Sequence, residues 1–184
     1  MPWLRALFNR EFTASEPNQK WVTDITSIPT AQNWLYLAVI LDVYSRAVVG
    51  WSMSACCDEA LVERALVMAV ARRRPQAGLL HHSDRGCQYT SHAYRRQLEV
   101  LGIVVSMSRK GNCWDNALME SFFGSLKEEC VGSTVYLTHE QARRSLFEYL
   151  EVYYNRQRRH SSLGYVSPFT YEQIERNVDV LRLS

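Results

Sequence analysis

The chain has 184 residues, of which 47% are hydrophobic, 22% charged and 11% aromatic, the size and composition of one folded domain and not of a disordered segment. Its formal net charge of +2 does not by itself mark a nucleic-acid binder, whose footprint is a more basic domain or a basic patch. The longest apolar run, residues 34–41, is far short of the ~20 residues of a membrane helix, and residues 1–12, interrupted by Arg5 and Arg10, lack the apolar stretch of a signal peptide.

Residues 1–20 are polar, contain Pro2 and Pro17, and read as an arm. Alternation predicts a strand over 21–28, with Val22, Asp24, Thr26 and Ile28 on one face. A turn is expected at 29–33, an apolar strand at 35–43, a second turn at 44–46 and a third strand at 47–53. Such short turns favour an antiparallel meander. The period then switches to a helix over 58–74, with Leu61, Ala65, Met68 and Ala69 on one side. A strand at 79–83, a helix at 91–101 ended by Gly102, and a fifth strand at 103–107 follow. Residues 109–114 form a polar loop and 116–131 a helix. Thr138 begins another helix, with Gln141 at capping-box spacing and Ala142, Leu146, Tyr149, Leu150 and Tyr153 as its apolar stripe. This order is α/β, with a five-stranded mixed sheet flanked by helices. Residues 21–135 read as the core and 136–184 as a C-terminal helical extension and tail packed on it. Five cysteines without a C-x-x-C pair read as reduced thiols in a cytoplasmic protein.

Three carboxylates stand where carboxylates are costly. Asp24 lies mid-strand beside Val22 and Ile28, so it needs a partner or a metal. Asp84 closes the fourth strand, and strand ends of open α/β sheets face ligand crevices. Glu120 falls at the border of the buried face of the 116–131 helix. At about 100° per residue, Asn116, Glu120 and Lys127 share one side to within roughly 40°. For each acid the alternative is structural: a hydrogen-bonded core or turn aspartate, or a solvated helix glutamate. His82, Ser83 and Asp84 are consecutive, point different ways on a strand and cannot form a nucleophilic triad. His81 and His82 read as hydrogen-bonded strand histidines ahead of an approach to a metal, and Asp42, a fourth carboxylate, as a turn residue near Arg46 ahead of a metal ligand.

Three segments, Trp21-Val22-Thr23-Asp24-Ile25-Thr26, His82-Ser83-Asp84-Arg85-Gly86-Cys87-Gln88-Tyr89 and Ser108-Arg109-Lys110-Gly111-Asn112-Cys113-Trp114-Asp115-Asn116-Ala117 followed by Glu120-Ser121-Phe122, resemble, in order, the catalytic motifs of one family. It is the family of bacterial insertion-sequence transposases that share the retroviral integrase core, most similar to the insertion-sequence-three group. The 35 residues between Asp84 and Glu120, Lys127 seven positions later, and the tail from Tyr154-Asn155-Arg156 through His160-Ser161-Ser162-Leu163-Gly164-Tyr165 to Ser167-Pro168 match as well. Cys87 stands where the family more often has a small hydroxyl residue.

The resemblance implies a ribonuclease H-like fold in which the first and fourth strands are neighbours. It implies that Asp24, Asp84 and Glu120 are catalytic and hold two Mg²⁺ or Mn²⁺ ions, an arrangement suited to in-line phosphoryl displacement by water or a DNA 3′-hydroxyl. The activity would be strand cleavage and strand transfer during DNA transposition, with element ends and target DNA as partners, no membrane, and assembly as a homo-oligomer or with an upstream-frame protein. Lys127 would meet a phosphate, and Asn116 would contact DNA, orient Glu120 or simply cap its helix. Arginine and lysine clusters at 72–74, 95–96, 109–110, 143–144 and 156–159 could line a DNA surface, Arg109, Lys110, Arg156 and Arg159 foremost, or be solvated faces. Trp114 could stack on a base or anchor the core. Family members usually carry a helix-turn-helix and a coiled coil ahead of the core. Only 23 residues precede Asp24 here, so recognition of the element's ends is expected to come from elsewhere. Two other readings are a non-catalytic regulator that binds DNA or transposase, and a nuclease that cuts without strand transfer.

Overall fold

The computed structural model describes residues 13–107 and 117–182. Its strands are β1 (Lys20–Thr30), β2 (Asn33–Asp42), β3 (Val48–Ser54), β4 (Leu80–Ser83) and β5 (Val104–Met107), in the spatial order β3-β2-β1-β4-β5. The first three form the predicted antiparallel meander, because their links are too short to carry the chain back to the same end of the sheet. β4 is reached through helix α1 (Glu59–Arg73), which lets it run parallel to β1; β5 is parallel to β4. β1 runs further than predicted: Pro29 pairs with Trp34 and Thr30 with Asn33, so the turn shrinks to Ala31 and Gln32.

The sheet separates two cores. Val22, Ile28, Leu35, Leu37, Val39 and Leu41 face Met119, Phe122, Leu126, Ala142, Leu146 and Leu150 on one side. Trp21, Ala38 and Ile40 face Leu61, Val62, Ala65, Leu66, Ala69, Tyr94 and Leu98 on the other. β2 is therefore covered on both faces, which is why residues 35–41 read as an unbroken apolar run. Gly50 permits the closest approach. A Cβ there would lie 2.3 Å from the Ala65 carbonyl oxygen and 2.7 Å from the Ala69 Cβ, so α1 rests directly on the β3 backbone.

Helix ends follow local chemistry. Asp58 Oδ1 accepts the Leu61 N–H at 3.0 Å, and Ser91 Oγ accepts the Tyr94 N–H at 3.2 Å to start α3 (His92–Val100). Ahead of α3 lies α2 (Cys87–Thr90), a single turn that periodicity is too short to reveal. The predicted 116–131 helix is α4 (Ala117–Leu126) continued by a π turn over Lys127–Val131, where the Gly132 N–H reaches the Lys127 carbonyl at 2.7 Å. Helix α5 (His139–Phe147) also passes into a π stretch, Glu148–Tyr154. Its Thr138 Oγ1 accepts the Gln141 N–H at 3.1 Å, but Gln141 Oε1 accepts from Leu137 and not from Thr138, so only half of the expected box forms.

The last described element is α6 (Pro168–Arg182). Arg73 donates to Asp42 Oδ2 at 3.3 Å and to both oxygens of Glu172 on α6. The Asn18 N–H reaches Asp42 at 2.7 Å, and Ser45 Oγ donates to Glu172 at 2.5 Å. Asp42 is thus fully buried, and its side-chain cation is Arg73 from α1; Arg46 contributes only its backbone N–H to the Asp42 carbonyl. Asn155 bonds the Val48 N–H and carbonyl at 2.8 and 2.9 Å, giving edge strand β3 a surrogate partner.

Candidate active site

β1 and β4 are hydrogen-bonded as parallel neighbours only through Lys20–Leu80, Trp21–His81 and Val22–His82. Two residues beyond the last pair, the same register places Asp24 opposite Asp84. Both line one open cavity of about 230 Å³ with Ile25, Thr26, Ser27, Tyr36, Cys57, Gln88 and Tyr89. The carboxylates sit where the parallel ladder ends and the strands part, the crevice in which open α/β sheets bind ligands.

Local geometry fixes each acid. Asp24 Oδ1 accepts the Ile25 N–H at 2.8 Å. Asp84 Oδ1 accepts the Gly86 N–H at 2.9 Å, closing a tight turn into α2. A Cβ on Gly86 would stand 3.0 Å from Asp84 Oδ1 and from Gln88 Oε1, so a side chain here would press on the acid. Beneath the cavity, the buried Tyr89 hydroxyl lies 3.2 Å from Thr23 Oγ1, which in turn donates to the Val39 carbonyl at 2.9 Å. Burial, with smaller contributions from Tyr94, Asp24 and Asp84, raises the Tyr89 pKa well above its ordinary value and keeps the phenol protonated. Residue-type preference could not have found Tyr89, Tyr36 or Cys57 at this wall; the sequence signal for Tyr89 was only its place in the motif after Asp84.

The neighbouring histidines are structural. His81 Nε2 meets the Tyr94 hydroxyl at 2.8 Å, and His82 Nδ1 meets Ser106 Oγ at 3.0 Å. Burial pushes the His81 pKa down to about 3. With both imidazoles engaged elsewhere, the two acids present hard oxygen donors, a set that fits Mg²⁺ or Mn²⁺ better than Zn²⁺.

Glu120 lies in the first turn of α4 and is exposed, not at the border of the buried face; Met119, Phe122 and Phe123 take the buried positions. It is not among the residues lining the Asp24–Asp84 cavity. Among the described residues, no three His, Cys, Asp or Glu side chains converge closely enough to enclose a metal ion. Lys127 is exposed and follows directly on α4, at the start of the π turn. Asn116, Arg109, Lys110 and Trp114 lie outside the described residues.

The basic clusters are partly internal. Arg158 bonds both Glu129 oxygens and Ser125 Oγ, the latter at 3.0 Å, and this pairing lowers the Glu129 pKa. Arg72 pairs with Glu151 at 2.8 Å, Arg73 with Asp42 and Glu172, and Arg143 donates to the Met53 carbonyl at 3.0 Å. Arg156 and Arg159 remain on the surface, Arg156 with its guanidinium 5.5 Å from the Phe169 ring centre.

Residues 14–113, more than half of the chain, match the integrase core domain family. The chain belongs to that family. Residues 101–168 match a second integrase core domain family. The insertion element IS600 uncharacterized 31 kDa protein of Shigella sonnei is 46% identical over 173 residues, 94% of this chain and 64% of that protein. The transposase for insertion sequence element IS904 of Lactococcus lactis subsp. lactis (strain IL1403) is 46% identical over 167 residues, covering 91% and 66%. Transposase InsF for insertion sequence IS3A of Escherichia coli (strain K12) is 47% identical over 172 residues, covering 94% and 60%. The chain spans between 60% and 66% of the length of these relatives.

The catalytic core domain of BIV integrase aligns with TM-score 0.63 at 17% identity, covering 89% of this chain and 99% of that one. The HTLV-2 integrase catalytic core domain, solved in complex with magnesium in a trimeric form, aligns at 0.66 and 16%, covering 86% and 99%. At such identities the likeness concerns the fold, which is ribonuclease H-like. Among the described residues no helix is long and apolar enough to cross a membrane.

Proposed function

We propose that this integrase core catalyses DNA strand cleavage at the ends of a mobile element and transfer of those ends into target DNA, with Asp24, Asp84 and Glu120 as its metal-holding carboxylates. The observation that carries this reading is the Asp24–Asp84 pair, facing one open cavity where β1 and β4 part. Two acids from adjacent parallel strands and a third from an exposed helix position make an oxygen-only donor set for two Mg²⁺ or Mn²⁺ ions. Such ions, when bound, favour deprotonation of an attacking water or 3′-hydroxyl and offset charge on the leaving oxygen.

The chain's own contribution is placement. The β1–β4 register fixes the spacing of the two aspartates, and the Ile25 and Gly86 N–H groups orient their carboxylates. Tyr89, protonated and buried, supplies a polar floor. Lys127, Arg156 and Arg159, all exposed, take DNA phosphates. Asn116, Arg109 and Lys110, in the third motif, are assigned to DNA by the family resemblance alone. Residues 21–135 form the working core and 136–184 its C-terminal extension, in a homo-oligomer or with an upstream-frame partner.

The test is nicking of DNA that bears element ends, in Mn²⁺, by the full chain and by Asp84→Asn. Equal nicking by the two would sink the proposal. A joining assay with a precleaved 3′-hydroxyl end separates strand transfer from plain nuclease action. The second reading is a non-catalytic regulator of transposition that binds DNA or transposase. Tight DNA or transposase binding without metal-dependent cleavage selects it.

A further inference from the structure

We infer that the hairpin between α5 and α6 is a base-stacking site, in which Tyr165 takes an unpaired base of DNA. The hairpin is closed by the His160 N–H to the Val166 carbonyl at 3.1 Å and the Tyr165 N–H to the His160 carbonyl at 2.9 Å, around a 3₁₀ turn at Ser161–Leu163. Leu163 is buried and pins the turn to the body. Gly164 and Tyr165 then both adopt positive φ, 71° and 62°.

For glycine this conformation is free of strain, whereas for a bulky residue it is an outlier. Glycine or asparagine would close the same turn more comfortably. Tyrosine is there instead, and the residue is 70% exposed, so intramolecular packing does not explain it. Strain held at an exposed position points to a contact outside the chain.

The surroundings indicate the occupant. Arg156, with its guanidinium 5.5 Å from the ring centre of the half-exposed Phe169, and the exposed Arg159 belong to the same loop. The Phe169 N–H reaches the Asn155 carbonyl at 2.9 Å, which holds the start of α6 beside Arg156. Exposed aromatic rings interleaved with guanidinium groups are how proteins grip single-stranded nucleic acid: charge holds the backbone, and rings stack on bases regardless of sequence. The loop is also fixed to the helix that carries Glu120 and Lys127. Arg158 bonds Ser125 and Glu129, and the Tyr154 ring packs edge-on against Phe122 at 4.9 Å between centres. DNA is therefore favoured over a protein partner.

The inference rests on the DNA-acting reading of the acid site but is tested apart from it, by measuring binding in EDTA, where no cleavage occurs. Fluorescence anisotropy of the full chain would compare a duplex carrying a short single-stranded overhang with the blunt duplex of the same sequence. The wild type is expected to bind the overhang about tenfold more tightly. Tyr165→Ala should erase that preference, while Tyr165→Phe and Tyr165→Trp keep it. Tyr165→Gly should erase it and yet raise the melting temperature by about 2 °C, because the strain is gone. An overhang preference that survives in Tyr165→Ala overturns the inference. So does a Tyr165→Gly variant that melts below the wild type, which would make the ring structural. Unchanged DNA binding with lost self-association in Tyr165→Ala overturns it in favour of a protein contact. Overhang preference without cleavage by the wild type would support this site while removing the catalytic reading.

Discussion

Asp42 and Asp24 lie on neighbouring strands, Asp42 paired with Trp21 and Asp24 three residues further along β1, yet the two carboxylates are treated in opposite ways. Asp42 is fully buried and shares Arg73 with Glu172. Burial still raises its pKa, against the lowering effects of the Asn18 N–H and of Arg73. Asp24 is half-buried and faces Asp84 across an open cavity. The difference separates a carboxylate tied into the fold by a guanidinium from one that lines an open space, the acid that the proposed function assigns to a cation. In the first case a guanidinium is built in beside two acids; in the second, two acids from adjacent strands converge on a space that a ligand can enter.

The sharpest way to break the comparison is to neutralise one acid of each kind. Asp84→Asn should lower metal-dependent DNA cleavage by about a thousandfold and leave the melting temperature almost unchanged, since among the described residues Asp84 forms no ion pair. A collapse in stability would make Asp84 a structural acid like Asp42. Conversely, Arg73→Met strands two buried carboxylates, with an expected cost of about 3–5 kcal/mol, or about 10 °C in melting temperature. Adding Asp42→Asn to that variant should recover part of the loss. Wild-type stability in the single variant would contradict the role given to the clamp.

A smaller effect is expected at the turn that orients Asp84. Gly86→Ala places a methyl group 3.0 Å from Asp84 Oδ1, and cleavage should fall about tenfold with little change in stability. Unaltered turnover would show that the turn yields without moving the acid. A last test concerns pH. His81 has a folded pKa near 3 against an ordinary 6.5, so the fold favours its neutral form. Its stabilising contribution is fully present above about pH 6.5 and is lost as the pH falls toward 3. Thermal unfolding across that range should therefore be less pH-sensitive in His81→Gln than in the wild type.

Much of the site was legible because its motifs are local. Alternation set the course of β1, the strand-to-turn step at Ser83–Asp84–Arg85–Gly86 marked Asp84, and Asp58, Ser91 and Thr138 announced their helices through short-range capping. The partner of Asp42 was not legible. Arg73 is 31 residues away and reaches it only because α1 folds over β2, whereas Arg46 merely looked close in sequence. The helical period that projected Lys127 toward the Glu120 side runs through α4 to Leu126, and the π turn at Lys127–Val131 changes it only for the residues that follow. Arg158 read as a surface cation because nothing local showed that Glu129, 29 residues earlier, would bind it.

The sequence by itself determined the element types, the amphipathic faces and the three acids in their motifs, because these depend on backbone periodicity and on neighbours a few residues away. Only the tertiary structure decided which acids meet. The β1–β4 register sets Asp24 against Asp84, packing of α1 through Gly50 delivers Arg73 to Asp42 and Glu172, and the anchored hairpin leaves Tyr165 in water. Such outcomes depend on contacts between distant segments, which a local pattern of residues does not encode.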